Sequence, residues 1–123
     1  MLLMCFSTAP PPALAHAALT SLQLIGSHEG RDRRATLRQN IATFQQASGL
    51  LTSHATPILP LVLGSNEAAL SAAVALESQG FLVPAIRFPT VPRGTARLRV
   101  SLSAAHSTTA IQSLAQALAK TED

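Results

Sequence analysis

The chain has 123 residues, of which 12% are charged, and a formal net charge of +3. This length is enough for one domain with a modest hydrophobic core. A single cysteine, Cys5, excludes an internal disulfide, and four scattered histidines give no zinc-ligand spacing, so we expect no metal. The apolar N-terminal run of six residues is too short for a signal peptide or a membrane span, so we expect a cytoplasmic protein with no membrane partner.

Apolar residues make up 47% of the chain, while aromatic residues make up only 3%. The apolar content is therefore mostly Ala and Leu, which favour helices but bury little area per residue. We expect part of this apolar surface to need a partner.

A basic cluster is the main feature of the charge pattern; it consists of Arg31, Arg33, Arg34 and Arg38. Such a cluster could contact phosphate, so nucleic-acid binding is one interpretation. No aromatic residues alternate with these arginines for base stacking. A solvated helix face with Glu29 and Asp32 nearby is therefore favoured, and we expect no nucleic-acid partner.

The N-terminal part of the chain predicts two helices. Residues 1–6 have the length of a buried strand, and three consecutive prolines then suit the start of a helix. Ala and Leu recur at helical spacing over 13–25, which predicts the first helix. Apolar residues on one face over 29–47 predict a second, amphipathic helix.

The rest of the chain alternates strands and helices. The predicted elements are a strand over 57–63, a helix over 66–79, strands over 81–88 and 96–102, and a helix over 106–120. Pro60 and Pro84 remove ladder donors, so their strands belong at the edges, with the proline-free strand between them. The first two strands are joined by a helix and run parallel with a right-handed crossover, whereas the third is antiparallel to the second. These features predict a small mixed three-stranded α/β (α+β) sheet, β-α-β-β-α, with helices on one face and two helices leading in.

The turn Arg87–Gly94 carries the best candidate for ligand binding. Two prolines limit its flexibility, and a guanidinium at a stiff strand end suits bidentate binding of a carboxylate. The hydroxyl of Thr90 could add a hydrogen bond to the same ligand. The alternative is that Arg87 pairs with a nearby acid and Thr90 closes a turn, and the residues alone favour this alternative.

Other polar residues have weaker signals. Ser7 and Thr8 precede a helix and could bind an anion there, although a plain helix cap is the favoured interpretation. His106 is expected to be a cap or packing residue rather than a catalytic base. The sequence contains no G-x-S-x-G, no phosphate-binding loop and no Cys/His nucleophile pair, so its spacing predicts no catalytic residue.

The run A-I-R-F-P-T-V-P-R-G-T-A-R-L-R-V-S-L-S-A-A-H at 85–106 resembles the C-terminal signature of the pyridoxal-phosphate-dependent α-oxoamine synthases. Within that family it fits the 8-amino-7-oxononanoate synthases best. Residues 6–13 resemble the segment that follows the cofactor-lysine region, and 58–80 falls in the expected order. The resemblance implies the C-terminal domain of a fold-type I transferase, with 1–48 as the end of the large domain and connecting helices and 49–123 as the small domain.

The resemblance also implies a function. Such enzymes are homodimers that join L-alanine to a pimeloyl thioester, on coenzyme A or a carrier protein, in biotin biosynthesis, and they use pyridoxal phosphate (PLP). Arg87 is then expected to hold the carboxylate of the amino acid or product, and Thr90 to contact substrate. Ser7 and Thr8 are expected near the cofactor phosphate.

Two departures accompany the resemblance. Phe88 stands where the family usually has proline, and Pro10 stands where it often has leucine. The Schiff-base lysine, the ring-stacking histidine and the aspartate for the pyridine nitrogen have no counterpart. We therefore expect a C-terminal fragment that is inactive alone and whose partner is the missing large domain. The alternatives are a fragment of glycine C-acetyltransferase or 5-aminolevulinate synthase, or a non-catalytic module that docks on a partner through the helix at 13–25.

Overall fold

The structure, a computed structural model, describes residues 9–49 and 56–120. The elements are α1 (Pro12–Gly26), α2 (His28–Ser48), β1 (Ile58–Gly64), α3 (Asn66–Ser78), β2 (Ala85–Ile86), β3 (Ala96–Ser101) and α4 (Thr108–Ala119). The order of elements predicted from 13 onward is confirmed. The strand predicted over 1–6 lies outside the described residues.

The second predicted strand is much shorter than expected. The sequence predicted 81–88, whereas only Ala85 and Ile86 pair with β3. Pro84 has no N–H to donate, so it takes part only through its carbonyl, which accepts from Arg99 N at 3.0 Å. On the other side, the carbonyl of Arg87 accepts a bond from within the following turn instead of from the sheet. The prediction of a full strand over 81–88 was wrong for this reason.

The sheet has the order β1-β3-β2, so the proline-free strand lies in the middle as predicted. Both hydrogen-bonded pairs are antiparallel, with Leu59 opposite Val100 and Leu61 opposite Leu98. Because β1 and β2 both run antiparallel to β3, they are parallel to each other without touching. This arrangement satisfies the predicted helical crossover between the first two strands.

One face of the sheet forms the core, and side chains of α2, α3 and α4 pack against that face. Residues that lie directly opposite in an antiparallel pair share a face, so the strand side chains of the inner face can be identified from the register. Inner-face and helix side chains form one buried cluster that includes Leu59, Leu61, Leu98, Val100, Phe44, Leu76, Ile111 and Leu118. On the other face, Ile58 and Val62 are 53% and 55% exposed. The predicted packing of helices on one face is confirmed.

The chain divides into two compact units, one up to Arg34 and one from Ala35 onward. The second unit contains the sheet together with Ile41 and Phe44 of α2, both buried in the core. The predicted domain division between residues 48 and 49 concerned the domains of a longer enzyme and stays a prediction.

Helix α1 belongs to the first unit and buries none of its residues. Its large apolar side chains are exposed; Leu14 and Leu22 are each 65% accessible. This is the apolar surface that the Ala- and Leu-rich composition led us to expect. None of the described helices is long and apolar enough to cross a membrane.

The junction of α1 and α2 depends on Ser27 and Gly30. The Ser27 hydroxyl donates to Leu24 O at 2.7 Å and accepts from Gly30 N at 3.1 Å, so it serves the end of one helix and the start of the next. A Cβ at Gly30 would lie 2.3 Å from Leu24 O and 2.6 Å from Ile25 O. Only glycine fits at position 30, because the carbonyl oxygens of Leu24 and Ile25 occupy the space that a Cβ would need.

We expect Gly30→Ala to destabilise this junction although alanine normally stabilises a helix interior by about 1 kcal/mol. The contact is with backbone carbonyls, which cannot move aside without breaking the turn. Gly26→Ala is the matched control, because a Cβ there meets nothing within 4 Å. Far-UV circular dichroism should show lost helicity for Gly30→Ala and none for Gly26→Ala; equal helicity in both would contradict the steric account.

Asn40 is the one buried polar residue among the described residues, at 4% exposure. Its Nδ2 donates to Ser103 O and to His106 O, both at 3.0 Å. The loop between β3 and α4 is thereby tied to α2 within the second unit. No role was predicted for Asn40, because an amide on an amphipathic helix is typical of the solvated face.

Asn40→Ala should destabilise the second unit by about 2 kcal/mol, because it removes both hydrogen bonds that the buried amide donates to the loop before α4. Urea unfolding of the full chain measures this effect. Gln39→Ala, at the exposed neighbouring position, should change the free energy of unfolding by no more than about 0.5 kcal/mol. A similar small effect for both variants would contradict the structural role of Asn40.

Candidate functional site

The connection between β2 and β3 consists of two successive hydrogen-bonded turns. Val91 N donates to Arg87 O at 3.2 Å, and Thr95 N donates to Pro92 O at the same distance. The Thr95 hydroxyl adds a bond to Pro92 O at 2.7 Å. The stiffness expected from two prolines is thus reinforced by backbone hydrogen bonds at both ends of the turn.

Phe88 ties this connection to its surroundings. Its amide donates to Asn66 Oδ1 at 3.2 Å, which links the turn to the first residue of α3. The guanidinium carbon of Arg93 lies 4.7 Å from the centroid of the Phe88 ring, in the range of a cation–π contact. Together with Ser65, Glu67 and Gly94 these residues line a depression of about 430 Å³.

Arg87 and Thr90, the predicted substrate ligands, both lie in the first of the two turns and are exposed. Within residues 9–49 and 56–120, neither side chain makes a hydrogen bond or an ion pair. The alternative interpretation was that Arg87 pairs with a nearby acid. No such pair occurs in the described part of the chain. The guanidinium is held on a fixed backbone and is open to a ligand, while the carboxylate role of Arg87 stays a prediction.

The open face of the sheet carries two further arginines that the sequence analysis did not single out. Arg97 and Arg99 point away from the core, opposite Val62 and Pro60 of β1. Arg97 Nε donates to Thr95 O at 3.0 Å, whereas Arg99 is exposed and has no side-chain bond among the described residues. A strand over 96–102 was predicted, but no sequence pattern connected these two arginines with Arg87.

The remaining polar candidates have structural roles or cannot be placed. His106 Nδ1 accepts from Ser103 N at 3.2 Å and so closes the loop before α4, whereas the N-cap of α4 is Ser107. Ser7 and Thr8 lie outside the described residues, so their predicted contact with a phosphate stays a prediction.

The basic cluster behaves as a helix surface. Arg33 Nε donates to Glu29 Oε1 at 3.0 Å, and Arg34 Nη1 donates to Ile25 O at 2.7 Å. His28 Nδ1 lies 2.9 Å from Asp32 Oδ2. Two of the four arginines are thus engaged locally, in agreement with the favoured interpretation of a solvated helix face.

Among residues 9–49 and 56–120, the side chains do not form a complete cofactor site. The single lysine of the chain, Lys120, is exposed at the C-terminal end of α4. Of the four described carboxylates, Glu29 and Asp32 are engaged by Arg33 and His28 on α2. The other two, Glu67 and Glu77, lie on α3, and Glu67 lines the depression beside Phe88. No group of three or more metal-binding side chains occurs in the described ranges. Among the described residues, the exposed Arg87 guanidinium has the chemistry to bind an anionic group.

No protein-family model matches the chain. Among curated proteins, the 8-amino-7-oxononanoate synthase of Polaromonas naphthalenivorans is 51% identical over 126 residues, which cover 94% of this chain. The enzyme of the same name from Bordetella petrii is 53% identical over 120 residues, covering 92% of this chain. The chain is a relative of the 8-amino-7-oxononanoate synthases. It matches the C-terminal part of these enzymes and spans 31% and 30% of their length.

Solved structures agree with this relationship to the 8-amino-7-oxononanoate synthases. The enzyme of that name from Francisella tularensis superposes with a TM-score of 0.76 at 28% identity, covering 94% of this chain and 34% of that one. A serine palmitoyltransferase from S. paucimobilis, solved with bound PLP–myriocin, gives a TM-score of 0.76 at 26% identity, over 94% and 30% of the two chains. The predicted fold class, the C-terminal domain of a fold-type I PLP transferase, is confirmed, and PLP is the cofactor of these full-length enzymes.

Proposed function

We propose that this chain is the substrate-clamping part of a PLP-dependent acyltransferase of the 8-amino-7-oxononanoate synthase type. That reaction joins L-alanine to a pimeloyl thioester, on coenzyme A or a carrier protein, releases carbon dioxide and the carrier thiol, and serves biotin biosynthesis. The observation that carries the proposal is the exposed guanidinium of Arg87, without a partner in the described part of the chain, on a backbone fixed by hydrogen bonds.

In this role, Arg87 binds the carboxylate of the amino acid or of the product. Two parallel N–H···O bonds fix both the position and the orientation of a carboxylate, which a single ammonium cannot do. Because the turn is already rigid, little conformational entropy is lost when the ligand binds. The Thr90 hydroxyl, in the same turn, donates a further hydrogen bond to the substrate.

The bond-breaking chemistry belongs to the cofactor and to protein groups outside this chain. When bound, PLP supplies an electron sink for the carbanion that forms at the amino-acid carbon. The partners in this proposal are the missing large domain, with its Schiff-base lysine, and a second copy of the enzyme in a cytoplasmic homodimer. Ser7 and Thr8 would lie near the cofactor phosphate.

The isolated chain is expected to be inactive. Mixed with PLP, the purified 123-residue chain should show no absorbance band of lysine-bound cofactor and no release of carrier thiol, because its single lysine, Lys120, is exposed at the C-terminal end of α4. Absorbance spectra and a thiol-release assay with L-alanine and pimeloyl-CoA measure both properties. A clear band together with turnover would overturn the fragment interpretation.

The clamp is testable in a chimera that carries the whole chain behind the preceding part of the Polaromonas naphthalenivorans enzyme. Arg87→Ala should lower kcat/KM for L-alanine about 50-fold, because a charged bidentate contact is lost. Arg87→Lys keeps the positive charge but cannot form two parallel hydrogen bonds to a carboxylate. Its kcat/KM for L-alanine should therefore lie between those of Arg87→Ala and the unsubstituted chimera.

Arg38→Ala is the control for this experiment, because it removes the same charge from an exposed helix position. Its kcat/KM should equal that of the unsubstituted chimera. If Arg87→Ala behaves like Arg38→Ala, Arg87 does not bind the carboxylate.

A further inference from the structure

The residue next to Arg87 makes two contacts that the function described above does not use. The Phe88 amide donates to Asn66 Oδ1 at 3.2 Å, and the Phe88 ring lies under the Arg93 guanidinium at 4.7 Å. Both contacts involve Phe88, the position where the resemblance predicts proline. A proline has neither an amide hydrogen nor an aromatic ring, so neither contact could form with it.

Asn66 connects this turn to a helix that is anchored in the core. It is the first residue of α3, whose Ala69 and Leu76 are fully buried, and the Ser65 hydroxyl caps the helix by accepting from Ala68 N at 3.0 Å. The Asn66 side chain therefore projects from an anchored helix end. Its carbonyl oxygen is the acceptor in the bond to Phe88, so the helix fixes the backbone immediately after Arg87.

The other side of Arg87 is fixed by the sheet. Ile86 pairs with Arg97 of β3, and the Arg87 carbonyl closes the first turn by accepting from Val91 N. The Cα of Arg87 thus lies between a sheet residue and a residue bound to Asn66. Removal of the Asn66 acceptor would release one of these two supports, and a displacement of about 1 Å is enough to weaken binding strongly.

We propose that Asn66 is a positioning residue for Arg87, because it accepts the hydrogen bond from the Phe88 amide. The Arg93 guanidinium, stacked on the Phe88 ring, stabilises the side chain of Phe88. This inference rests on the proposed carboxylate role of Arg87. It assigns the substrate-binding geometry to a residue outside the resemblance at 85–106.

The first test measures the turn itself by amide hydrogen exchange with mass spectrometry, in the 123-residue chain and in the chimera. Asn66→Ala should increase exchange in the peptide that covers 85–95 about 10-fold. Asn66→Asp retains an acceptor oxygen and should restore the protection. Ser71→Ala, at an exposed position further along α3, removes a hydroxyl that takes no part in the cap or in the Phe88 contact, and should leave exchange at 85–95 unchanged. Unchanged exchange in Asn66→Ala, or an equal increase in Ser71→Ala, would overturn the inference.

The second test measures kinetics in the chimera. Asn66→Ala should raise KM for L-alanine about 10-fold and leave KM for the pimeloyl thioester unchanged, because only the carboxylate clamp is displaced. An equal rise for both substrates would indicate general damage to the fold and overturn the positioning role. If Arg87→Ala raises KM for L-alanine and Asn66→Ala does not, the inference alone fails. If Arg87→Ala itself has no effect, the proposed clamp fails and the positioning role falls with it.

Discussion

The burial of one face of β3 is the constraint on which the rest of the described structure depends. Leu98 and Val100 are almost completely buried, and the same strand pairs with β1 on one side and β2 on the other. Fully burying side chains of this size stabilises a fold by about 2 kcal/mol each. Because side chains alternate along a strand, this burial also sends Arg97 and Arg99 to the opposite, open face. The apolar core and the cations of the open face are therefore consequences of the same register.

The candidate clamp is built at the edge of this core. Arg87 follows a strand of only two residues, which by itself would hold its end poorly. The turn compensates with backbone bonds of its own and with the contacts of Phe88 to Asn66 and Arg93. Because the backbone of this turn is already fixed, the Arg87 guanidinium can replace its bound water with a carboxylate while the backbone stays in place. This favours the binding of an anionic group.

Much of the fold was predictable because its signals are local. Alternation along β3, helical spacing in the four described helices and the missing donor of Pro84 were sufficient to place the strands in the correct order. The extent of β2 was not predictable, since the carbonyl of Arg87 is used by the following turn and not by the sheet. The roles of Asn40 and Asn66 were also missed. Each amide bonds to groups that are far away in sequence, and local patterns carry no information about them.

The sequence by itself determined the order of elements, the middle position of the third strand, the turn that carries Arg87 and the relationship to the 8-amino-7-oxononanoate synthases. These properties follow from periodicity, from proline and from a contiguous run of residues. Only the tertiary structure decided that the Arg87 guanidinium has no partner in the described part of the chain, and that Phe88 is bound by α3. The physical reason is that a free or a satisfied side chain is defined by distances between residues that folding brings together, whereas a sequence pattern records only neighbours along the chain.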